Sequence, residues 1–227
     1  MSNYDVFKYS TVFIESNDKD GNLTSGTAFF VGFENKPTVL VTAKHVVDKV
    51  KSNRISFHYM PSGSRHIETV AFECKLDWEE SEDYDVCCCN LSDINKQFEK
   101  EIGFPIYHKH LNGDNILTEN DLQNVKVLEE VVMMGYPSGM KNTAFAYPLF
   151  TKGNLAVPPS DNHLNKEGYV NISAIGGSSG SPLLIQKENK YCLLGIMSKA
   201  LMENPVSKAD IGMYVDAYRL RELVKEL

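Results

Sequence analysis

The segment "AIGGSSGSPLL", Ala174 to Leu184, carries the densest signal for chemistry in the chain. Glycines and serines in close succession between two apolar runs make a loop whose backbone can fold tightly and turn its amides inward. A serine on such a loop can act as a nucleophile, with neighbouring N–H groups facing the negative oxygen of an acyl-transfer intermediate. A flexible Gly/Ser turn would have the same composition, so the loop needs partners. "GGSSG" formally matches G-x-S-x-G with Ser178 as nucleophile, but that hydrolase arrangement places its histidine after the serine. The last histidine here is His163, and the reading fails on order.

A base must then lie upstream. Of the six histidines, His45 stands in "TVLVTAKHVVDKV", where an apolar strand runs into a short helix. Such a junction fixes a side chain on rigid elements while leaving it exposed. His108 and His110 would share one side of a strand, but no third metal ligand accompanies them. The third group of a serine–histidine system is a partly buried carboxylate that accepts the Nδ1 proton. Asp85 opens the apolar run "VCCCNL" and fits; Asp83, two positions earlier, is the fallback.

The elements that must position these groups read as short β-branched and aromatic runs. Strands are predicted at Lys8–Glu15, Gly26–Phe33, Thr38–Thr42, Arg54–Tyr59, Ile67–Cys74 and Tyr84–Leu91. They resume at Glu129–Gly135, Ala144–Thr151, Tyr169–Ser173, Pro182–Gln186, Cys192–Ser198 and Ile211–Val215. Turn residues punctuate them, as in "ENKP", "MPSGS" and "VPPSDN", which points to an all-β sandwich or barrel arrangement. Helices are expected over Ala43–Lys51 and after Asp216, where Leu220, Leu223, Val224 and Leu227 recur at helical spacing. Asp216 would cap the second, whose leucine stripe would dock on the second half. The polar stretch from about Asn95 to Val127 reads as a crossover between two β-rich halves. The chain is thus expected to be one domain: residues 1–95, a crossover 96–127, residues 128–215 and a terminal helix 216–227.

"LVTAKHVV", "YDVCCCNL" and "GGSSGSP" occur in the order His, Asp, Ser, at residues 45, 85 and 179. In this combination the chain resembles the chymotrypsin-like (trypsin-fold) serine peptidases. "TAKHV" corresponds to the family's "TAAHC/V", "DVCCC" to its "D-[IV]-A-L-L", and "GSSGSP" to its "G-D/N-S-G-G/S-P". "SGTAFFV", "LLGIMSKA" and "IGMYVDAYRLRELV" extend the likeness over nearly the whole chain, weakest from 92 to 128.

The resemblance implies an all-β fold of two antiparallel β-barrels with a C-terminal helix and the site between the barrels. It implies His45, Asp85 and Ser179 as a catalytic triad, and the amides of Gly177 and Ser179 as the oxyanion hole. Ser173 would lie at the base of the primary specificity pocket, with Ser198, Lys199, Ala200 and Gly212 along its walls. No charged residue falls at that base, and Met197 stands near the position of a wall histidine in glutamyl enzymes, so an uncharged P1 side chain is expected. Ser178 replaces the aspartate that pairs with a freshly cut amino terminus in trypsin-type zymogens. The chain is closer to the bacterial branch, including Deg/HtrA-type and glutamyl endopeptidases, without a PDZ-sized segment. A protease-fold binding or scaffold protein is the alternative, motivated by Lys44 beside His45 and Ser178 beside Ser179.

The composition agrees with a globular enzyme. The chain has 227 residues with 42% hydrophobic content, enough for a core without disulfides or metals. A formal net charge of -7 argues against a nucleic-acid partner. The start "MSNYDVFKYS" has no secretory signal pattern and no run is long enough for a membrane-spanning helix. Five cysteines, three of them consecutive, fit a reducing compartment, and the triplet reads as buried strand filler. The expectation is a cytoplasmic enzyme, without cofactor, acting on a protein or peptide substrate. Unrestrained proteolysis there would be toxic, so a regulatory protein partner or signal that releases a latent enzyme is also expected.

Overall fold

The two β-rich halves close to different degrees, as the computed structural model shows over residues 3–17, 23–47, 52–137, 147–160, 167–202 and 208–225. In the first half, strands β1 (Thr11–Asn17), β2 (Leu23–Gly32), β3 (Val39–Thr42), β4 (Asn53–Tyr59), β5 (Glu68–Cys74), β6 (Glu79–Glu80) and β7 (Cys87–Asn90) form one antiparallel sheet. Its order is β5-β4-β1-β2-β3-β7-β6, and β8 (Leu111–Asn112) pairs parallel to β2. In the second half, β9 (Glu130–Gly135), β10 (Leu149–Leu155), β11 (Gly168–Asn171), β12 (Pro182–Lys187), β13 (Lys190–Met202) and β14 (Lys208–Asp216) close into a six-stranded barrel.

The expectation of two closed barrels is therefore corrected for the first half, which is an open sheet. Its edge explains the difference. β6 consists of Glu79 and Glu80, both exposed, and among the described residues pairs only with β7. So short and polar a strand has no apolar face to draw it onto β5.

Burial on both faces accounts for the unusual cysteine run. Cys87 and Cys89 face one core with Phe30, Leu40, Ile55, Phe57 and Phe98, while Cys88 faces a second with Phe29, Val31 and Val41. A strand covered on both sides takes a continuous apolar run instead of an alternating one. The second core is the seam between the halves, since Met134, Leu184, Leu193, Ile196 and Val215 of the barrel join it. A third fills the barrel, around Val131, Leu155, Leu183, Leu194, Met197 and Tyr214.

Helices differ most from the sequence expectations. The first strand begins later than predicted because helix α1 (Asn3–Lys8) precedes it. Helix α2 (Lys44–Val47) follows β3 directly; residues 48–51 lie outside the described residues. Helix α3 (Leu91–Ile102) occupies the start of the expected crossover, capped by Asn90 and ended by Gly103 at φ +84°. Its buried Leu91, Ile94 and Phe98 had the spacing of an amphipathic helix. A short α4 (Glu119–Leu122) follows, closed by a capping box between Thr118 and Asp121.

After β14 the chain makes a 3₁₀ turn, Ala217–Arg219, and then α5 (Leu220–Leu223). Asp216 takes the N-cap position of that turn without a side-chain cap bond. Leu220 and Val224 enter the seam core with Val39, Val41 and Val86, so this segment docks between the halves, not on the second alone. Lys36 Nζ donates to the Val224 carbonyl at 2.5 Å and holds the segment to the first half.

Candidate active site

His45 is presented by α2, whose neighbours Val46 and Val47 are buried and anchor it. The imidazole itself remains 49% exposed. Asp85 lies in the turn just ahead of β7, and its carboxylate collects three hydrogen bonds. The His45 backbone N–H donates to Oδ1 at 3.0 Å; His45 Nδ1 and Ser198 Oγ donate to Oδ2 at 2.7 and 2.6 Å. An ionised carboxylate can only accept, so the ring proton is on Nδ1 and the Nε2 lone pair is free to act as a base. Burial alone would raise the Asp85 carboxyl, but the bonds from His45 and Ser198 outweigh it and hold it at about 2. His45 thus bonds to Asp85 and not to the exposed Asp83.

Ser179 stands on the loop between β11 and β12, and the first half grips this loop. The Thr27 N–H donates to the Ser179 carbonyl at 2.8 Å and Thr27 Oγ1 donates to the Gly177 carbonyl at 3.0 Å. Gly180 has φ +81°, and a Cβ there would collide with the Thr27 carbonyl and Thr42 Oγ1, so only glycine permits so close an approach. Ser178 is buried and closes the loop on itself: its N–H donates to the Ile175 carbonyl at 3.0 Å and its Oγ accepts from the Ile175 N–H at 3.3 Å.

The N–H groups of Ser178, Gly180 and Ser181 are all taken up, at Ile175, Met197 and Ser178 carbonyls. Those of Gly177 and Ser179 have no acceptor among the described residues. Ser179 Oγ donates to the Ser198 carbonyl at 2.9 Å. In this structure its proton is held by Ser198 and not by the imidazole.

Ser198 therefore touches both Ser179 and Asp85. It is 1% exposed, at a bulge where β13 shifts register against β14 between Met197 and Lys199. A bulge re-aims a side chain, here with the carbonyl on one candidate residue and the hydroxyl on another. Of the other residues expected around a pocket, Ala200 and Gly212 face each other across β13 and β14. The Met197 thioether covers Gly212, closely enough that a Cβ there would come within 2.8 Å of Met197 Cε. Lys199 is exposed and pairs with Glu167 at 3.7 Å. Ser173 is exposed, two residues after the end of β11.

Thr27 escaped the sequence reading as a site residue. The available signal was a lone hydroxyl in the buried part of an otherwise apolar strand, "TAFFV". His108 and His110 lie with ring centroids 6.2 Å apart, His108 against Phe30. Among the described residues no group of three or more His, Cys, Asp or Glu could hold a metal ion. His163 lies outside the described residues.

A family model of the trypsin-like peptidase domain matches residues 26–196. Among solved structures the chain is similar to the Rv3671c protease from M. tuberculosis in its active form, at 17% identity and a TM-score of 0.60. That match covers 98% of this chain and 82% of the other. It is also similar to the HtrA-type protease AlgW with a tripeptide, at 14% identity and a TM-score of 0.60, covering 98% of this chain and 61% of that one. No curated protein matches this chain. Identities this low speak for a common fold.

Proposed function

Since the chain belongs to the trypsin-like peptidase domain family, we propose that it is a serine endopeptidase that cleaves proteins or peptides through an acyl-enzyme. The observation that carries this reading is the Asp85 carboxylate bonded at 2.7 Å to His45 Nδ1, which leaves Nε2 as a base. In the proposed cycle the Ser179 hydroxyl leaves the Ser198 carbonyl, gives its proton to His45 Nε2 and attacks the scissile carbonyl. The amides of Gly177 and Ser179 stabilise the resulting oxyanion. Protonated His45, stabilised by Asp85, then donates to the leaving amine, and water repeats the sequence on the acyl-enzyme.

A specific observation favours a latent form of the same enzyme. Ser179 Oγ rests on Ser198 in place of the base, so a substrate, partner protein or signal that turns it toward His45 would switch activity on. An inert scaffold of the same fold would keep the present hydroxyl position permanently. The uncharged residues expected at the pocket base and walls, Ser173, Ser198, Ala200 and Gly212, support an uncharged P1 preference. All five cysteines are free thiols, which supports action in the cytoplasm.

The test is labelling with a serine-directed fluorophosphonate, mapped by peptide mass spectrometry, with Ser179→Ala as control. Label confined to Ser179 and lost in the control is the expected outcome. Absence of label from the pure protein but its appearance in cell extract identifies the latent form. No label under either condition overturns the peptidase reading in favour of the scaffold.

A further inference from the structure

Lys44 directly precedes the candidate base, and its half-buried side chain reaches the turn that carries Asp85. Lys44 Nζ donates to the Ser81 carbonyl at 2.6 Å. Ser81 closes that turn with its other two polar groups: its N–H donates to the Val86 carbonyl at 3.0 Å, and its Oγ accepts from the Tyr84 N–H at 3.2 Å. All three polar groups of Ser81 are thus engaged, and the partner of its carbonyl comes from the helix of His45. On the far side, the Arg219 guanidinium lies over the Tyr84 ring, 4.6 Å from its centroid.

This arrangement matters because neither bearing element is rigid by itself. The described part of helix α2 is four residues, which do not hold themselves rigid by their own hydrogen bonds. Asp85 precedes β7 in an irregular turn whose Glu82 and Asp83 are exposed. The 2.7 Å bond between His45 and Asp85 needs the two held together to a fraction of an ångström. A strut from residue 44 to residue 81 makes their separation a local property.

We propose that Lys44 is a positioning residue: its ammonium on the Ser81 carbonyl fixes the Asp85 turn against α2, so that the carboxylate meets His45 Nδ1. The inference rests on the peptidase reading of the site. The ammonium of Lys44 is engaged at Ser81, so Lys44 acts through the turn that carries Asp85.

The test compares Lys44→Met, which keeps the stem without the donor, with Lys44→Arg, which restores a donor of similar reach. In the Ser179→Ala background, proton NMR reads the low-field resonance of the His45 Nδ1–H bonded to Asp85. In the protein with Ser179, the fluorophosphonate labelling rate is followed against pH. Lys44→Met should lose or broaden the resonance, label about tenfold more slowly and shift its pH profile, since small misplacements cost one to two orders of magnitude. Lys44→Arg should recover most of each. An unchanged resonance and pH profile in Lys44→Met overturns the proposal, even where its melting temperature falls. Should Lys44→Met not fold, Lys44→Leu, which also lacks a donor, takes its place under the same criteria. If the unmutated protein never labels, the peptidase reading fails, while the resonance still decides the role of Lys44.

Discussion

The open sheet and the closed barrel contribute to the site in different ways. The sheet supplies His45 and Asp85, bonded to each other twice and reached by a further donor from Ser198. The closed barrel supplies Ser179 on a loop whose fixed points include Thr27 of the sheet and whose hydroxyl is turned to Ser198. Closure of a half is thus not what orders its part of the site. Two bonds within the first half join His45 to Asp85, and Ser198 adds a third from across the seam, whereas the nucleophile loop is held by bonds within the barrel and by Thr27 from the sheet.

The sharpest way to break this comparison is Asp85→Asn. If the pair is the organised part of a working site, the amide forces the wrong imidazole tautomer and labelling at Ser179 should fall by about 10⁴-fold. A loss below tenfold would show that the pair is not in use. Leu220→Ala tests the seam instead. Leu220 is fully buried between the halves, and its truncation should cost about 3 kcal/mol in urea unfolding. The His45–Asp85 resonance should survive in the folded fraction, and its loss would mean that the seam orders the pair too.

Acid should separate the sheet from the site. His58 of β4 is 1% exposed, and burial, then the charge of Lys8, push its imidazole down to about 4. The unfolded chain binds that proton near pH 6.5, so this stability is complete above about 6.5 and is lost as pH falls toward 4. The loss amounts to roughly 2–3 kcal/mol. Asp85, held down at about 2, contributes stability present above its unfolded value near 4 and lost only as pH falls through 2. The urea midpoint should therefore decline between pH 6.5 and 4 in the native protein and stay flatter in His58→Asn. Equal slopes would remove His58 as the cause.

The smallest expected effect is at Thr27→Val, which removes the bond to the Gly177 carbonyl and leaves the Tyr136 N–H without its acceptor. A loss of about 1–2 kcal/mol is expected, with slower labelling and an unchanged His45–Asp85 resonance. A labelling rate equal to that of the native protein would show that the loop does not need its grip from the sheet.

The candidate site was read from the residues themselves. His45 at a strand–helix junction, Asp85 before an apolar run and Ser179 in a Gly/Ser loop are local signals, and local chemistry is what a sequence records directly. Strands such as β4, β5, β9 and β12 were legible for the same reason, since each carries its own apolar pattern between turn residues. Helix α3 was missed: Leu91, Ile94 and Phe98 have helical spacing, but the polar residues between them read as a crossover. Tertiary structure decided what depends on residues far apart. The first half stays open because two glutamates make its edge. Leu220 and Val224 serve the seam because the core they join holds Val39, Val41 and Val86 of the first half and Ile196 and Val215 of the barrel. Ser198 meets both Asp85 and Ser179 because a bulge in β13 turns it, and Lys44 reaches Ser81 across 37 residues. No local pattern encodes such meetings, because the partners of a polar group are chosen by the packing of the chain around it.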